Sequence, residues 1–148
     1  MSDRLALVTG AAGEMGHLLI PALAARGFGV VTVDRRPLSD ELAARCLRRH
    51  DASILDDGAM RALFAAHSFS HVYHLAAILS SKAERDPWQA HRVNVDGTFG
   101  LFRLCQQVAA ATGVSPTVVF PSSIAVYGLP DAETKRRAGA VRESQWLA

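Results

Sequence analysis

Short apolar runs recur along the chain, separated by amphipathic or polar stretches. Leu5 to Thr9 reads as a first strand and Val30 to Asp34 as a second. Between them, from about Met15 to Arg26, apolar residues recur at helical spacing. The pattern then weakens. Ser39 is placed to N-cap a short helix through Leu42 and Ala43, and a third strand is expected within Leu47 to Ile54, where the apolar signal is poor. Asp57 to Ala66 reads as a helix that turns Met60, Leu63 and Phe64 inward, and His71 to Leu75 as a fourth strand. One long helix is expected from about Pro87, in its first turn, to Ala111, with Gly113 just past its end. Thr117 to Phe120 is a fifth strand, and after Tyr127 the chain becomes polar and irregular. Strands alternating with helices predict βαβ units and a parallel sheet. Right-handed crossovers then give the strand order 3-2-1-4-5, with helices on both faces.

The join between the first strand and the first helix carries the sharpest signal. Gly10, Gly13 and Gly16 follow the apolar strand at three-residue spacing, and the helix follows them. In that context a glycine pattern becomes a dinucleotide site of the Rossmann type. Gly10 lets the chain turn sharply off the strand. Gly13, without a Cβ, lets a diphosphate approach the backbone. Gly16 lets the helix pack closely on the sheet. The helix start, at Glu14 and Met15, offers N–H groups and a positive dipole end to the phosphates.

Asp34 ends the second strand, eighteen residues past Gly16. A carboxylate there accepts both ribose hydroxyls of an adenosine and repels a 2′-phosphate. The plainer reading is a strand-end cap; the glycines upstream favour the ribose contact. Arg35 and Arg36 follow at once, and such a basic pair holds the 2′-phosphate in enzymes that use NADP. The acid occupies the strand-end position itself, so NAD is the expected cofactor.

Composition narrows the setting. A chain of 148 residues, 49% hydrophobic and 20% charged, fits one globular domain with one sizeable core. A formal charge of +2 gives no case for nucleic acid, and Arg45, Arg48, Arg49 and the run Lys135-Arg136-Arg137 read as solvated faces. Cys46 and Cys105 have no metal or redox spacing and fit idle thiols in a reducing cytoplasm. No apolar run approaches the roughly twenty residues of a membrane span. The apolar N-terminus mimics a short signal segment, but its glycine spacing suits a first strand better.

Five pieces now stand in order: Thr9-Gly10-x-x-Gly13-x-x-Gly16; Asp34; His74-Leu75-Ala76-Ala77; Asn94-Val95-Asp96-Gly97-Thr98; and Pro121-Ser122-Ser123-Ile124-Ala125-Val126-Tyr127-Gly128. In these the chain resembles the extended short-chain dehydrogenase/reductases, the group that includes nucleotide-sugar epimerases and dehydratases. Within it, Ala77-Ile78-Leu79-Ser80 and Pro121 to Val126 are most similar to the short-chain type of L-threonine dehydrogenase. The resemblance implies an NAD-dependent enzyme acting on a carbinol carbon of a small molecule, and a homodimer in the full-length parent. It implies that Ser123 hydrogen-bonds the substrate hydroxyl or carbonyl and that Ser122 positions the backbone beside it. Asn94 is implied to hold the backbone near the active site. Ala76 and Ala77, small residues after the fourth strand, leave room for the cofactor; the alternative is that they are plain helix formers. His74 is expected to be a satisfied strand-end histidine. Gly97, inside a helix, suggests close packing against a neighbour. The family's adenine contact, an Asp before an aliphatic residue, falls on Asp51-Ala52, with Ser53-Ile54 competing for the place.

The family's acid–base pair is a Tyr with a Lys four residues later, and the chain contains no Tyr-x-x-x-Lys; four residues past Tyr127 is Asp131. Tyr127 is therefore expected to pack beside the pocket. The expected molecule is the cofactor-binding half of an enzyme, incomplete after the fifth strand and without its substrate domain. A fragment, a truncated reading frame and an incompletely recorded chain are all consistent with that. The rival from another class is a catalytically silent NAD-binding or regulatory module. About fifteen further codons of the source gene, with or without Tyr-x-x-x-Lys, separate the two.

Overall fold

The computed structural model describes residues 4–123 and 131–140. In it β1 (Leu5–Thr9) lies mid-sheet, paired in parallel with β2 (Gly29–Asp34) on one side and β4 (His71–His74) on the other. β3 (Arg48–Asp51) extends the sheet beyond β2, and β5 (Thr117–Val119) extends it beyond β4, again in parallel. The order β3-β2-β1-β4-β5 is the expected doubly wound one.

Alternation along the strands divides the core between the two faces. Leu7, Val31, Val33 and Val72 point to one face. There they pack with Met60, Leu63 and Phe64 of α3 (Asp57–Ala66) and with Leu101, Leu104 and Cys105 of α6 (Thr98–Thr112). Ala6, Val8 and Val30 point the other way, against Ile20 and Leu23 of α1 (Glu14–Ala25) and Leu42 of α2 (Asp40–Ala43). Ser39 caps α2 by accepting from the Leu42 N–H.

The third strand was hard to see in the sequence because it is an edge. Its residues, Arg48-Arg49-His50-Asp51, bury little, and charges on an edge strand discourage pairing with another chain. β5 forms the opposite edge, with Val118, Val119 and Phe120 36%, 41% and 52% exposed.

Several boundaries differ from expectation. α1 starts at Glu14 rather than Met15, β4 stops at His74, and β5 stops at Val119. A short helix, α4 (Ser80–Arg85), follows β4 and starts on Ser80 with φ 43°. The long helix expected over Pro87 to Ala111 is not one regular helix. It comprises α5 (Pro87–His91), a wider π turn at Arg92–Gly97, and α6, which ends at Gly113 with φ 74°. The polar stretch after Tyr127 contains a helix, α7 (Ala132–Ala138), capped by Asp131. Its charged sequence has no apolar stripe, so the apolar period could not reveal it.

Candidate functional site

The C-terminal ends of β1, β2, β4 and β5 share one side of the sheet, and the sequence-singled residues collect there. The chain leaves β1 through Gly10, at φ 68°, a conformation that disfavours any residue with a Cβ. A Cβ at Gly10 would also lie 2.6 Å from the backbone N of Ala76. Gly10 thus serves twice, as the sharp turn and as the point where the turn abuts the backbone after β4. Gly13 is the extended N-cap of α1, and its N–H closes the turn on the Gly10 carbonyl at 3.1 Å. A Cβ on Gly13 would meet only that carbonyl oxygen, at 3.2 Å, so its outer side is open to a ligand. Gly16 departs from the expected reason. Its absent Cβ would fall 2.0 Å from the Ala11 carbonyl oxygen, so it clears the turn's own backbone rather than the sheet.

Among the described residues no side chain caps α1. The N–H groups of its first turn, around Glu14 and Met15, have no partner within the helix and sit at the positive end of its dipole. That is the donor set a diphosphate needs. Glu14 and Met15 themselves are exposed.

Asp34 stands over this turn. Its Oδ2 accepts from the Ala12 N–H at 2.9 Å and its Oδ1 from the Arg36 N–H at 2.8 Å. The Arg36 guanidinium reaches back and donates to the Ala12 carbonyl at 2.8 Å. Arg36 and Asp34 therefore bracket the same residue of the turn from both sides, a role for Arg36 that sequence reading missed. A strand-end acid followed two residues later by arginine was its available signal. Asp51 lies level with Asp34 on the neighbouring strand and is exposed. The competing Ser53 uses its hydroxyl oxygen to accept from the Leu55 N–H at 3.2 Å.

Beyond β4, Ala76 is half-buried against Gly10 and Ala77 is exposed. Asn94, on the π turn, clasps the next backbone unit: its Oδ1 accepts from the Ile78 N–H at 2.8 Å and its Nδ2 donates to the Ile78 carbonyl at 2.9 Å. Gly97, three residues on, makes room for Ile54, whose Cδ1 would lie 2.5 Å from a Cβ there. His74 is satisfied, as its strand-end position suggested, with Thr9 Oγ1 at 2.6 Å from Nδ1 and Thr98 Oγ1 at 2.9 Å from Nε2. Thr9 and Thr98 were missed; a polar residue closing an otherwise apolar buried strand was the signal for Thr9.

Ser122 and Ser123 follow β5 and are exposed at the same end of the sheet. Tyr127 and Gly128 lie outside the described residues. Among the described residues no group of three or more His, Cys, Asp or Glu side chains is arranged to hold a metal ion. Cys46 and Cys105 are free, and burial pushes the Cys105 thiol up to about 11, which keeps it neutral and unreactive.

A model of the NAD dependent epimerase/dehydratase family matches residues 6–144. The chain belongs to that family. It is 36% identical over 141 residues to UDP-glucose 4-epimerase 4 of Oryza sativa subsp. japonica, an alignment covering 87% of this chain and 37% of that protein. Among solved structures it is similar to the UDP-glucose-4-epimerase of Stenotrophomonas maltophila, crystallised with bound NAD and formylated UDP-arabinopyranose. The TM-score is 0.72 at 31% identity, over 86% of this chain and 39% of that one. A monomeric L-threonine 3-dehydrogenase of metagenomic origin, in apo form, superposes with a TM-score of 0.70 at 28% identity, over 82% of this chain and 37% of that one. The chain thus spans well under half the length of the relatives it matches.

Proposed function

We propose that the chain is the cofactor-binding half of an NAD-dependent epimerase or dehydrogenase that acts on a carbinol carbon, with a nucleotide sugar the favoured substrate class. The observation that carries the reading is the Asp34 carboxylate, fixed over the glycine turn by the Ala12 N–H. The residues fit the cofactor: Gly10 and Gly16 let the turn fold tightly on its own backbone, Gly13 leaves its outer side open, and α1 starts without a side-chain cap among the described residues. The nucleotide-sugar class is supported by the two UDP-sugar epimerase relatives; the threonine dehydrogenase supports the redox chemistry but not that substrate.

In this reading Asp34 accepts the adenosine ribose hydroxyls, Asp51 meets the adenine, and the N–H groups at Gly13, Glu14 and Met15 hold the diphosphate. Ala76 and Ala77 keep the strand ends clear for the nicotinamide side. Asn94 fixes Ile78 beside them. Ser122 sets the backbone after β5, and Ser123 orients the substrate hydroxyl whose carbon is oxidised. NAD held there would supply the hydride-transfer chemistry at that carbon, while Ser123 keeps the hydroxyl oriented. The proton on the hydroxyl needs a base, and the family's Tyr-x-x-x-Lys pair is not within these 148 residues. We place the base in a following segment of the parent protein, which we take to be a cytoplasmic homodimer.

Calorimetric titration of the chain with NAD+ and NADP+ tests the cofactor assignment; the expected result is the tighter binding of NAD+. Reading the source gene onward tests the enzyme assignment. A Tyr-x-x-x-Lys in the next coding stretch supports it, whereas an intact gene without one favours a silent NAD-binding module.

A further inference from the structure

The ring of His74 is 1% exposed and sits where three strand ends and one helix meet. Its two nitrogens contact hydroxyls on different elements, Thr9 on β1 and Thr98 at the start of α6. Its face stacks on Phe120, just past β5, with ring centroids 5.6 Å apart. None of these contacts is explained by packing alone, since an apolar side chain of the same size would fill the space.

The hydrogen bonds around the ring fit one consistent set of directions. The Thr98 hydroxyl donates to the Asn94 carbonyl at 2.8 Å, so its one proton is used and its oxygen accepts from His74 Nε2–H. His74 is neutral at pH 7 because burial pushes it down to about 4, so Nδ1 is a bare acceptor. The Thr9 hydroxyl then donates to Nδ1, and its oxygen in turn accepts from the Ala76 N–H at 3.3 Å. The donors run one way, from the Ala76 N–H through Thr9, His74 and Thr98 to the Asn94 carbonyl. The Asn94 side chain closes the path by holding both the N–H and the carbonyl of Ile78. Both ends of the path thus grip one short stretch of backbone, Ala76 to Ile78, and that stretch abuts the turn at Gly10.

We propose that His74 is a positioning residue: as the neutral Nε2–H tautomer it locks, through Thr9 and Thr98, the Ala76–Ile78 backbone against the glycine turn and so sets the floor of the cofactor site. The part of this inference that concerns cofactor affinity rests on the NAD reading above. The lock is an all-or-none arrangement, because no hydroxyl in it has a spare proton. Removing the Thr98 hydroxyl leaves Nε2–H without its acceptor and the Asn94 carbonyl without its donor. The fold is expected to survive such a change, since Thr9, His74 and Thr98 are not members of the apolar core cluster on either face.

The test uses the full 148-residue chain with Thr98→Val, which keeps the shape and removes the hydroxyl, and Thr98→Ser, which restores it. Nitrogen-15 NMR of the wild-type imidazole is expected to show the Nε2–H tautomer at pH 7. Amide hydrogen exchange at Ala76 and Ile78 is expected to rise at least tenfold in Thr98→Val, with the amides of Leu7 and Val31 unchanged, and to return toward wild type in Thr98→Ser. NAD+ affinity by calorimetry should follow the same pattern, falling about tenfold, which is about 1.4 kcal/mol, and recovering. An Nδ1–H tautomer, or unchanged exchange at Ala76 and Ile78 in Thr98→Val, overturns the lock. If the variant loses protection uniformly, the positioning role is overturned in favour of a purely structural one; His74→Phe, which also removes the ring's polar atoms, is the check on that outcome. A wild-type chain that shows the tautomer and the local exchange response but no affinity for NAD+ overturns the cofactor reading and leaves the lock standing.

Discussion

The Asp34 carboxylate and the Ala12 N–H are joined at 2.9 Å, so the end of the second strand holds the glycine turn of the first. The acid therefore has two tasks in one place. It fixes the turn, and in the proposed cofactor site its two oxygens also meet the ribose diol. Asp34→Ala removes both and is expected to weaken NAD+ binding roughly 10- to 100-fold, since hydrogen bonds to a charged group are worth about 1.5–3 kcal/mol. NADP+ binding should fall less or improve, because the charge that repels a 2′-phosphate is gone. Calorimetry on the variant decides this. If NADP+ is the tighter ligand of the unmutated chain, Arg35 and Arg36 govern the site and the NAD reading fails.

The glycines predict two different outcomes for one kind of change. Gly16→Ala drives a Cβ to 2.0 Å from the Ala11 carbonyl oxygen, a backbone atom that cannot rotate away. It is expected to lower stability by about 3 kcal/mol or more. Gly13→Ala meets only the Gly10 oxygen, at 3.2 Å, with an extended backbone that alanine adopts freely. Its stability should stay within about 1 kcal/mol of the parent, while NAD+ affinity falls because the new methyl stands where the diphosphate approaches. Urea denaturation beside calorimetry separates the two. Equal loss of stability in both variants would refute the account of Gly16.

His74 makes stability depend on pH in a defined window. Burial holds its folded pKa at about 4, against 6.5 for a free imidazole. Above 6.5 neither state carries the proton and the contribution is constant. As pH falls from 6.5 to 4 the unfolded state takes up a proton that the folded state refuses, so stability is lost; below 4 both are protonated and the loss stops. The linkage amounts to about 3 kcal/mol. His67, also shifted down by burial and by the charges of His50 and Arg48, adds a slope of the same sign. The His74 share is therefore read from the difference between wild type and His74→Phe across that window. A difference that does not change between pH 7 and pH 4.5 would contradict the shift.

The strands that carry buried side chains on both faces were legible from apolar runs alone. Leu5–Thr9, Gly29–Asp34 and His71–His74 sit in the middle of the sheet, and their order followed from the crossover rule. The glycines and Asp34 were legible because a turn, a close approach and a strand-end acid each demand a residue type. What stayed hidden shares a different cause. β3 is a charged edge with no apolar signature, and α7 is a polar surface helix. The π turn at Arg92–Gly97 leaves the helical period of the surrounding residues almost unbroken, so the turn itself did not show, although the resemblance singled out Asn94 on it. The bracketing of Ala12 by Arg36, and the path through Thr9, His74 and Thr98, join residues 24 and up to 65 positions apart. Spacing along a chain cannot report such meetings before the sheet order is known.

The polypeptide Met1 to Ala148, expressed alone, is expected to bind cofactor yet turn over little or no substrate. Ser123 is the residue proposed to meet the substrate, but these 148 residues hold no Tyr-x-x-x-Lys for the proton, and a positioned acid–base group typically contributes about 10² to 10⁴ in rate. The polypeptide is also expected to self-associate. β5 forms one edge of the sheet, and Val118, Val119 and Phe120 on and beside it are all more than a third exposed. On the helix nearby, Phe99 and Phe102 are 71% and 41% exposed, and the Phe102 ring meets Phe120 edge-on beside the open edge. An unpaired edge next to exposed apolar rings invites pairing with another copy. β3, at the far edge, is guarded by Arg48 and Arg49, so association should run through β5. Sedimentation of the wild-type chain should show material larger than a monomer. Val118→Lys with Phe99→Lys, a pair that places charge on the open edge and on the helix face, should shift it toward monomer without changing NAD+ affinity. Activity assays with a UDP-sugar and with L-threonine complete the test. A clean monomer with robust turnover of either substrate would show that these residues suffice for the chemistry, and that the base has been sought in the wrong place.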